Sequence, residues 1–220
     1  MPSALITGSN RGIGLEFTQQ LKDKGYEVFA LCRKSSEDLQ QCGVQVLENA
    51  DVRDLKALIH IREKLKGKTL DLLINNAGVL YRDSLEEMNF DQVTEQLEVN
   101  ALGTLKATHT FLPLLREGSK IIILTSQLGS IGEENSGKRY GYRMSKAAVN
   151  MLGRTLAADL KDKKIAIGIY HPGRVRTAMT DFNRGIEPSE SVENLLERIE
   201  ELNLENSGSF WNHKGESILW

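Results

Sequence analysis

Two side chains that together can move a proton lie four residues apart, at Tyr142 and Lys146. On a helix this spacing places both on one face, about one turn apart. A phenol with a pKa of about 10 transfers protons poorly at neutral pH, but a neighbouring ammonium group favours the phenolate and lowers this pKa. The pair is therefore a candidate general acid–base, whereas Tyr140 has Met144 at the same spacing. Tyrosine and lysine also reach this spacing by chance, so the pair alone identifies no site.

Two other polar residues are candidates to assist the pair. Ser126 follows a predicted apolar strand, at the edge where open α/β sheets bind ligands, and its hydroxyl can hydrogen-bond a carbonyl oxygen. Asn100 interrupts a predicted helix, where asparagine is a poor helix former. Facing a cleft, its side chain could hold Lys146 or a water molecule; otherwise it is a solvated surface residue.

A glycine-rich segment joins the first predicted strand to the first predicted helix. It reads Thr7-Gly8-Ser9-Asn10-Arg11-Gly12-Ile13-Gly14. At such a junction the backbone N–H groups and the helix dipole favour a pyrophosphate. The spacing is one residue longer than the usual dinucleotide fingerprint, and the glycines could instead only allow the helix to pack on the strand. No Lys-Ser or Lys-Thr follows Gly14, which excludes a P-loop.

The end of the second predicted strand indicates which dinucleotide is bound. An acidic residue there binds the ribose of NAD, whereas a cation accepts the 2′-phosphate of NADP. Cys32 and Arg33 occupy this place, and Arg11 could approach from the glycine loop. These residues favour NADP(H), although Arg33 could also be only a solvated surface cation.

The elements that must position these residues alternate between short β-rich stretches and longer segments of helical period. Strands are predicted at residues 4–7, 26–32, 44–47, 70–75, 121–125 and 165–170, with one more in the tail 209–220. Helices are predicted after the glycine loop, between residues 55 and 65, and at residues 90–116, 141–160 and 192–202. This alternation predicts one α/β domain over residues 1–220, a Rossmann-like doubly wound parallel sheet with helices on both faces.

Along almost its whole length the chain resembles the short-chain dehydrogenase/reductases. The glycine segment matches the family's T-G-x-x-x-G-x-G motif. The other matching segments are Asp51-Val52, Asn75-Asn76-Ala77-Gly78, the ordered set Asn100, Ser126, Tyr142 and Lys146, and Pro172-Gly173-Arg174-Val175-Arg176-Thr177. Because these motifs occur together and in the family's order, they outweigh the chance interpretation of Tyr142 and Lys146.

The resemblance implies a cofactor site and a reaction. The expected cofactor-binding residues are Gly8, Ser9, Asn10, Arg11, Gly12, Ile13, Gly14, Arg33, Asp51, Val52, Asn76, Ala77, Gly78, Tyr142, Lys146, Pro172, Gly173, Val175 and Thr177. It implies that NADPH gives a hydride to the carbonyl carbon of a small ketone, aldehyde or quinone while Tyr142 protonates the oxygen. Ser126 is expected to steady that oxygen, Lys146 to hold the cofactor ribose and lower the phenol's pKa, and Asn100 to anchor a water.

Within the family, the segment around Tyr142 and the sequence His171-Pro172-Gly173 look most like the C-factor and sniffer-type carbonyl reductases. Some relatives in that group are discussed as signalling proteins. Two alternatives therefore stay open: an NADP-binding signalling or sensory protein without significant turnover, and a dehydrogenase that oxidises an alcohol.

Charge and composition exclude several other classes. With 28 Lys+Arg against 30 Asp+Glu, the net charge of −2 gives no basic excess for binding nucleic acid. Cys32 and Cys42 with four histidines form no metal-ligand pattern and indicate free thiols in a reducing compartment. No membrane span or export signal is expected, so the predicted location is the cytoplasm. Met179, Phe182, Leu80 and Leu128 are expected to form an apolar substrate wall, and pairing of the two long helices is expected to make a homodimer.

Overall fold

The chain forms a seven-stranded parallel sheet, described here for all 220 residues of a computed structural model. The strands are β1 (Ser3–Thr7), β2 (Glu27–Leu31), β3 (Gln45–Leu47), β4 (Leu70–Asn75), β5 (Leu115–Leu124), β6 (Ala166–His171) and β7 (Phe210–Asn212). Their order across the sheet is β3-β2-β1-β4-β5-β6-β7. The predicted doubly wound α/β fold is confirmed.

Helices cover both faces of the sheet. They are α1 (Gly12–Asp23), α2 (Glu37–Gln41), α3 (Leu55–Lys64), α4 (Phe90–Gln96), α5 (Gly103–Phe111), α6 (Tyr140–Asp159) and α7 (Pro188–Glu201). One apolar core lies under α3, α5 and α6, and a second lies under α1 and α7. Burial of both faces explains why β4 carries three consecutive apolar residues, Leu72, Leu73 and Ile74, rather than alternating apolar and polar ones. None of the helices combines the length and apolar composition that a membrane-spanning segment needs.

The long helix predicted at residues 90–116 is shorter and less regular than expected. A π-helical segment, Leu97–Leu102, joins α4 to α5, and α5 ends at Phe111. A single 3₁₀ turn, Leu112–Leu114, contains Pro113, whose missing N–H prevents the helix from continuing. The chain then enters β5 at Leu115, six residues before the strand was predicted to begin.

The last helix begins earlier than the capping pattern around Ser189 predicts. Pro188 is its first residue, a position where the fixed φ of proline suits a helix and the missing N–H costs nothing. The other strand predictions agree with the structure to within one residue at most ends.

The sheet places a binding edge between β1 and β4. The chain leaves β1 toward β2 on one side, whereas β4 and β5 continue on the other. In open α/β sheets, ligands bind outside the carboxyl ends of the strands at such a switch point. The glycine loop, the segment after β4 and Ser126 all lie at this edge.

Candidate functional site

The glycine loop after β1 is held by the segment that follows β4. The amide of Asn76 donates to the carbonyl oxygens of Thr7 and Gly8 at 2.9 and 3.0 Å. The hydroxyl of Thr7 in turn accepts from the backbone N–H groups of Asn76 and Ala77, both at 3.1 Å. Asn76 therefore fixes the loop through its side chain.

Two glycines of this loop leave no room for a side chain. A Cβ on Gly14 would lie 2.3 Å from the Gly8 carbonyl oxygen, and one on Gly8 would lie 2.9 Å from the Cα of Ala77. Gly8 also has a φ of +70°, which glycine adopts without a steric penalty. The glycines are thus required for packing of the loop, whatever it binds.

A cavity of about 490 Å³ opens at this edge, within the range of small-molecule sites. Twelve of the predicted cofactor-binding residues line it. They are Gly8, Asn10, Arg11, Gly12, Ile13, Arg33, Asp51, Val52, Asn76, Ala77, Gly78 and Thr177.

The other predicted cofactor-binding residues do not line this cavity. Ser9 is fully buried and donates its hydroxyl to the Ile6 carbonyl, and Gly14 packs against the loop. Tyr142, Lys146, Pro172, Gly173 and Val175 also lie outside the lining. Val175 is buried, and the Pro172 carbonyl accepts from the hydroxyl of Ser191 on α7, so this segment is anchored to the fold.

Several lining residues were not predicted from the sequence. They are Leu15, Glu16, Gln19, Cys32, Ala50, Val79, Val99, Arg176, Ala178 and Pro188. A sequence signal existed for Leu15, Glu16 and Gln19, since they continue the helix that follows the glycine loop. Met179 and Phe182, expected at the substrate wall, line the cavity, whereas Leu80 and Leu128 do not.

Arg33 lies at the end of β2 as an exposed cation on the cavity wall. Arg33 forms no salt bridge, and the carboxylate of Asp51 pairs with Arg53 at 2.7 Å. The hydrogen bond from Arg53 is the main reason that the pKa of Asp51 is lowered, and the charge of Arg33 adds to this effect. The guanidinium of Arg33 is therefore available to an anionic ligand.

Ser126, Tyr142 and Lys146 come together beside the end of β5. Each is less than a tenth exposed, at 8%, 7% and 6%. The Lys146 Nζ lies 5.7 Å from the centroid of the Tyr142 ring and donates to the Leu124 carbonyl oxygen at 2.9 Å. The Ser126 side chain is near enough to the phenol of Tyr142 to lower its pKa, so the three predicted groups form one cluster.

The pKa of the phenol differs from the expectation. Burial raises the pKa of Tyr142 to about 12, although the hydrogen bond with Ser126 and the charge of Arg139 oppose the rise. Burial also lowers the pKa of Lys146 to about 8. Burial is the dominant effect on the phenol, and the ammonium of Lys146 is directed to the Leu124 carbonyl, so the pKa of Tyr142 is raised overall rather than lowered.

Asn100 lies in the π-helical segment and is 1% exposed. Its amide donates to the Val79 carbonyl and to the Ser145 hydroxyl, both at 2.9 Å, and its oxygen accepts from the Val79 N–H at 2.8 Å. Asn100 is thus not a solvated surface residue, and its side-chain hydrogen bonds go to Val79 and Ser145 rather than to Lys146. Its side chain joins the segment after β4 to α6, and both amide protons are already used there.

The comparison with protein families decides the identification. A model described as short chain dehydrogenase matches residues 2–186. The chain belongs to this family. Membership makes it an oxidoreductase and confirms the resemblance seen in the sequence motifs. The chain is also 35% identical over 226 residues to 1-hydroxy-2-glutathionyl-2-methyl-3-butene dehydrogenase of Rhodococcus sp. (strain AD45), with 100% of both chains covered.

Two solved structures of the family have the same fold. An NADPH-bound carbonyl reductase from chicken fatty liver superimposes with a TM-score of 0.91 and 30% identity, covering 100% of this chain and 99% of the other. The carbonyl reductase Sniffer of D. melanogaster gives a TM-score of 0.91 at 27% identity, with 100% of both chains covered. The predicted similarity to sniffer-type members is thereby confirmed.

Proposed function

We propose that this short-chain dehydrogenase is an NADPH-dependent reductase of small ketones, aldehydes or quinones. The observation that carries the proposal is the cluster of Ser126, Tyr142 and Lys146 at the same sheet edge as the glycine-loop cavity. A protein that only binds a dinucleotide has no need of this cluster. The NADPH bound to the chicken liver carbonyl reductase supports the choice of cofactor.

The residues of the cavity fit a phosphorylated dinucleotide. Helix α1 has no acidic residue in its first turn, and its N-cap residue, Arg11, gives no side-chain cap, so the first N–H groups are free for an anion. Gly8 and Gly12 keep the loop backbone bare on the cavity wall. Arg33 supplies the cation for a 2′-phosphate, and Asp51 with Val52 forms the wall for the adenine. The segments that follow β4 and β6 supply the residues for the rest of the cofactor, namely Asn76, Ala77, Gly78 and Thr177.

The bound cofactor would supply the hydride that reaches the carbonyl carbon. The hydroxyl of Tyr142 donates its proton to the carbonyl oxygen as negative charge develops there. Ser126 hydrogen-bonds the same oxygen and stabilises that charge in a site from which water is largely excluded. These contacts strengthen in the transition state, so their loss lowers turnover more than binding.

Lys146 has the role of keeping positive charge beside the tyrosine. With a pKa of about 8 its amine is mainly protonated at neutral pH, and an ammonium stabilises the phenolate that remains after proton transfer. The high pKa of Tyr142 keeps the phenol protonated and ready to donate before the reaction. Asn100 positions α6 and the segment after β4, which hold these groups.

The test of this function is NADPH oxidation measured against a panel of ketones, aldehydes and quinones, with NADH in parallel. We expect turnover of at least one carbonyl class and a preference for NADPH. Tight binding of NADPH with no turnover on the whole panel would instead favour the signalling or sensory alternative.

The opposite direction is a second candidate. The Rhodococcus relative is named as a dehydrogenase of a hydroxy compound, and it is 35% identical to this chain over its whole length. Since the chemistry is reversible, the same residues would then act with Tyr142 as the base. Rates measured in both directions at neutral pH, with the alcohol and its carbonyl product, decide between the two.

A homodimer formed through the long helices is also part of the proposal. Helices α5 and α6 carry large apolar side chains that are about half exposed or more, among them Leu105, Met144 and Met151, with Leu102 beside them in the π-helical segment. A two-fold pair would bury these on both partners. Light scattering is expected to give twice the mass of the chain, and a mass of one chain would refute this assembly.

The free thiols support a reducing compartment such as the cytoplasm. Cys32 and Cys42 are both buried and unpaired. Burial raises the pKa of Cys32 to about 11, which makes it an unreactive thiol. Cell fractionation tests this inference, since the protein should then be found in the cytoplasmic fraction.

A further inference from the structure

The catalytic helix α6 begins without a cap of its own. Its N-cap residue, Arg139, has a left-handed conformation with φ 56° and makes no side-chain cap. The first N–H groups of any helix have no partner within the helix. Tyr142, the proposed acid, is the third residue of α6, so the position of its phenol depends on this uncapped first turn.

Asp83, from the segment after β4, supplies the missing partners. Its carboxylate oxygens accept from the N–H of Tyr140 at 2.5 Å and of Gly141 at 3.2 Å. Its backbone carbonyl accepts from the N–H of Arg139 at 2.9 Å. Three consecutive amides at the start of α6 are thus bound by one residue that is 57 positions away from Tyr140 in the chain.

The carboxylate of Asp83 is directed at the helix and at no cation. Asp83 is 8% exposed and forms no salt bridge, and its neighbour Arg82 pairs with Asp181. A buried charge is costly unless it is compensated, and here the positive end of α6 and its charge-assisted hydrogen bonds provide the compensation.

The opposite side of the first turn is closed by α4. A Cβ on Gly141 would lie 2.4 Å from the Gln96 amide nitrogen and 3.0 Å from the Cα of Val93. The Gln96 side chain also accepts from the N–H of Tyr81, two residues before Asp83, at 2.9 Å. The turn that carries Tyr142 is therefore held between α4 and Asp83.

We propose that Asp83 is a positioning residue for catalysis, which caps α6 from outside the helix and fixes Tyr142 against Ser126. It does not line the cofactor cavity, and its hydrogen bonds are to the first residues of α6, so it acts through α6. This inference rests on the proposed role of Tyr142 as the acid. Its effect on the backbone of α6 does not depend on that role and can be measured separately.

The test compares Asp83→Ala with Asp83→Asn, which keeps one acceptor oxygen. For Asp83→Ala we expect kcat to fall on the order of 100-fold, because a displacement of about 1 Å in a catalytic group has an effect of that size. In Asp83→Asn, kcat should fall only about tenfold, which corresponds to the loss of roughly one hydrogen bond. The affinity for NADPH, measured by fluorescence titration, should be unchanged in both, since the glycine-loop cavity is formed by other residues.

Asp54→Ala is the matched control. Asp54 caps α3 in the same way, by accepting from the N–H groups of Lys56 and Ala57 at 2.9 and 3.1 Å, and it makes no hydrogen bond to α6. This variant should lower the melting temperature and leave kcat at saturating NADPH unchanged. An equal loss of kcat in Asp54→Ala and Asp83→Ala would show that the effect is general destabilisation and would overturn the proposal.

Amide hydrogen exchange gives a readout that needs no turnover. In Asp83→Ala the amides of Tyr140 and Gly141 should lose protection while those of β1 and β4 keep it. Unchanged protection, or unchanged kcat, would overturn the role of Asp83. If the wild-type protein turned over no carbonyl, the proposed reduction would fail, and loss of protection at these two amides would still establish the cap.

Discussion

The ammonium of Lys146 lies 5.7 Å from the centre of the Tyr142 ring, in the same buried cluster. Both groups are shifted toward their neutral forms by burial, with pKa values of about 8 for Lys146 and about 12 for Tyr142. At neutral pH the pair therefore consists of a protonated phenol and a mainly protonated amine. This is the state from which a proton can be given to a substrate oxygen.

Replacement of Tyr142 by phenylalanine should abolish proton donation without disturbing the fold. We expect Tyr142→Phe to bind NADPH as the wild type does and to lose at least about 100-fold in kcat, the lower range for general acid catalysis. Tyr140→Phe is the control, because it removes the same hydroxyl two residues away, where the i+4 residue is Met144. Retained turnover in Tyr142→Phe would show that another group is the acid.

The proposed reductase activity should fall as the pH rises through the pKa of Lys146. Below about pH 8 the amine is mainly an ammonium, and well above it the fraction of ammonium falls about tenfold with each pH unit. Because the ammonium stabilises the phenolate, kcat should decline on the alkaline side with an apparent pKa near 8. Lys146→Arg keeps its charge in this range, so any activity that this variant retains should show no decline at that pH. A wild-type profile that is flat from pH 7 to pH 10 would contradict the role given to Lys146.

The choice between the two nicotinamide cofactors should depend on Arg33. Arg33→Asp places a carboxylate on the cavity wall, which repels a 2′-phosphate and can accept a ribose hydroxyl, so NADPH should bind at least about tenfold more weakly relative to NADH. Lys34→Asp makes the same change of charge at the next residue, which is exposed and outside the cavity lining. Dissociation constants for both cofactors check the prediction. Equal changes in the two variants would indicate a general electrostatic effect and would remove Arg33 from the site.

The sequence was sufficient to predict those features that depend on local patterns or on short motifs. The alternation of strands and helices predicted the sheet, and twelve of the predicted cofactor residues line one cavity. The sequence did not predict the π-helical segment around Asn100, whose side chain hydrogen-bonds Val79 and Ser145, 21 and 45 residues away in the chain. The cap on α6 could not be predicted from local sequence either, because Asp83 is 57 positions away from Tyr140.

The pKa of Tyr142 illustrates a second limit of sequence reasoning. The spacing to Lys146 predicts a lowered pKa, but the outcome depends on how deeply the phenol is buried, and burial raises it to about 12. Ser9 is a similar case, since its place in the glycine motif predicts a contact with the cofactor while its hydroxyl is used within the fold. A motif indicates which residues belong together, whereas packing decides what each side chain contacts.

The close approach of the glycine loop to the segment after β4 leads to a prediction about Gly8. Gly8 and Gly67 both have left-handed φ values, +70° and +84°, so alanine at either position carries the same backbone penalty of about 1–2 kcal/mol. At Gly67 the added methyl group meets no atom within 4 Å, whereas at Gly8 it lies 2.9 Å from the Cα of Ala77.

Gly8→Ala should therefore lower the free energy of unfolding more than Gly67→Ala, and it alone should weaken NADPH binding, because Ala77 and the loop must move apart at the cavity wall. Chemical denaturation and NADPH titration of the two variants measure both effects. Equal affinity for NADPH in the two variants would mean that the loop can shift without disturbing the cofactor site, and the inference that Asn76 fixes the glycine loop would then be wrong.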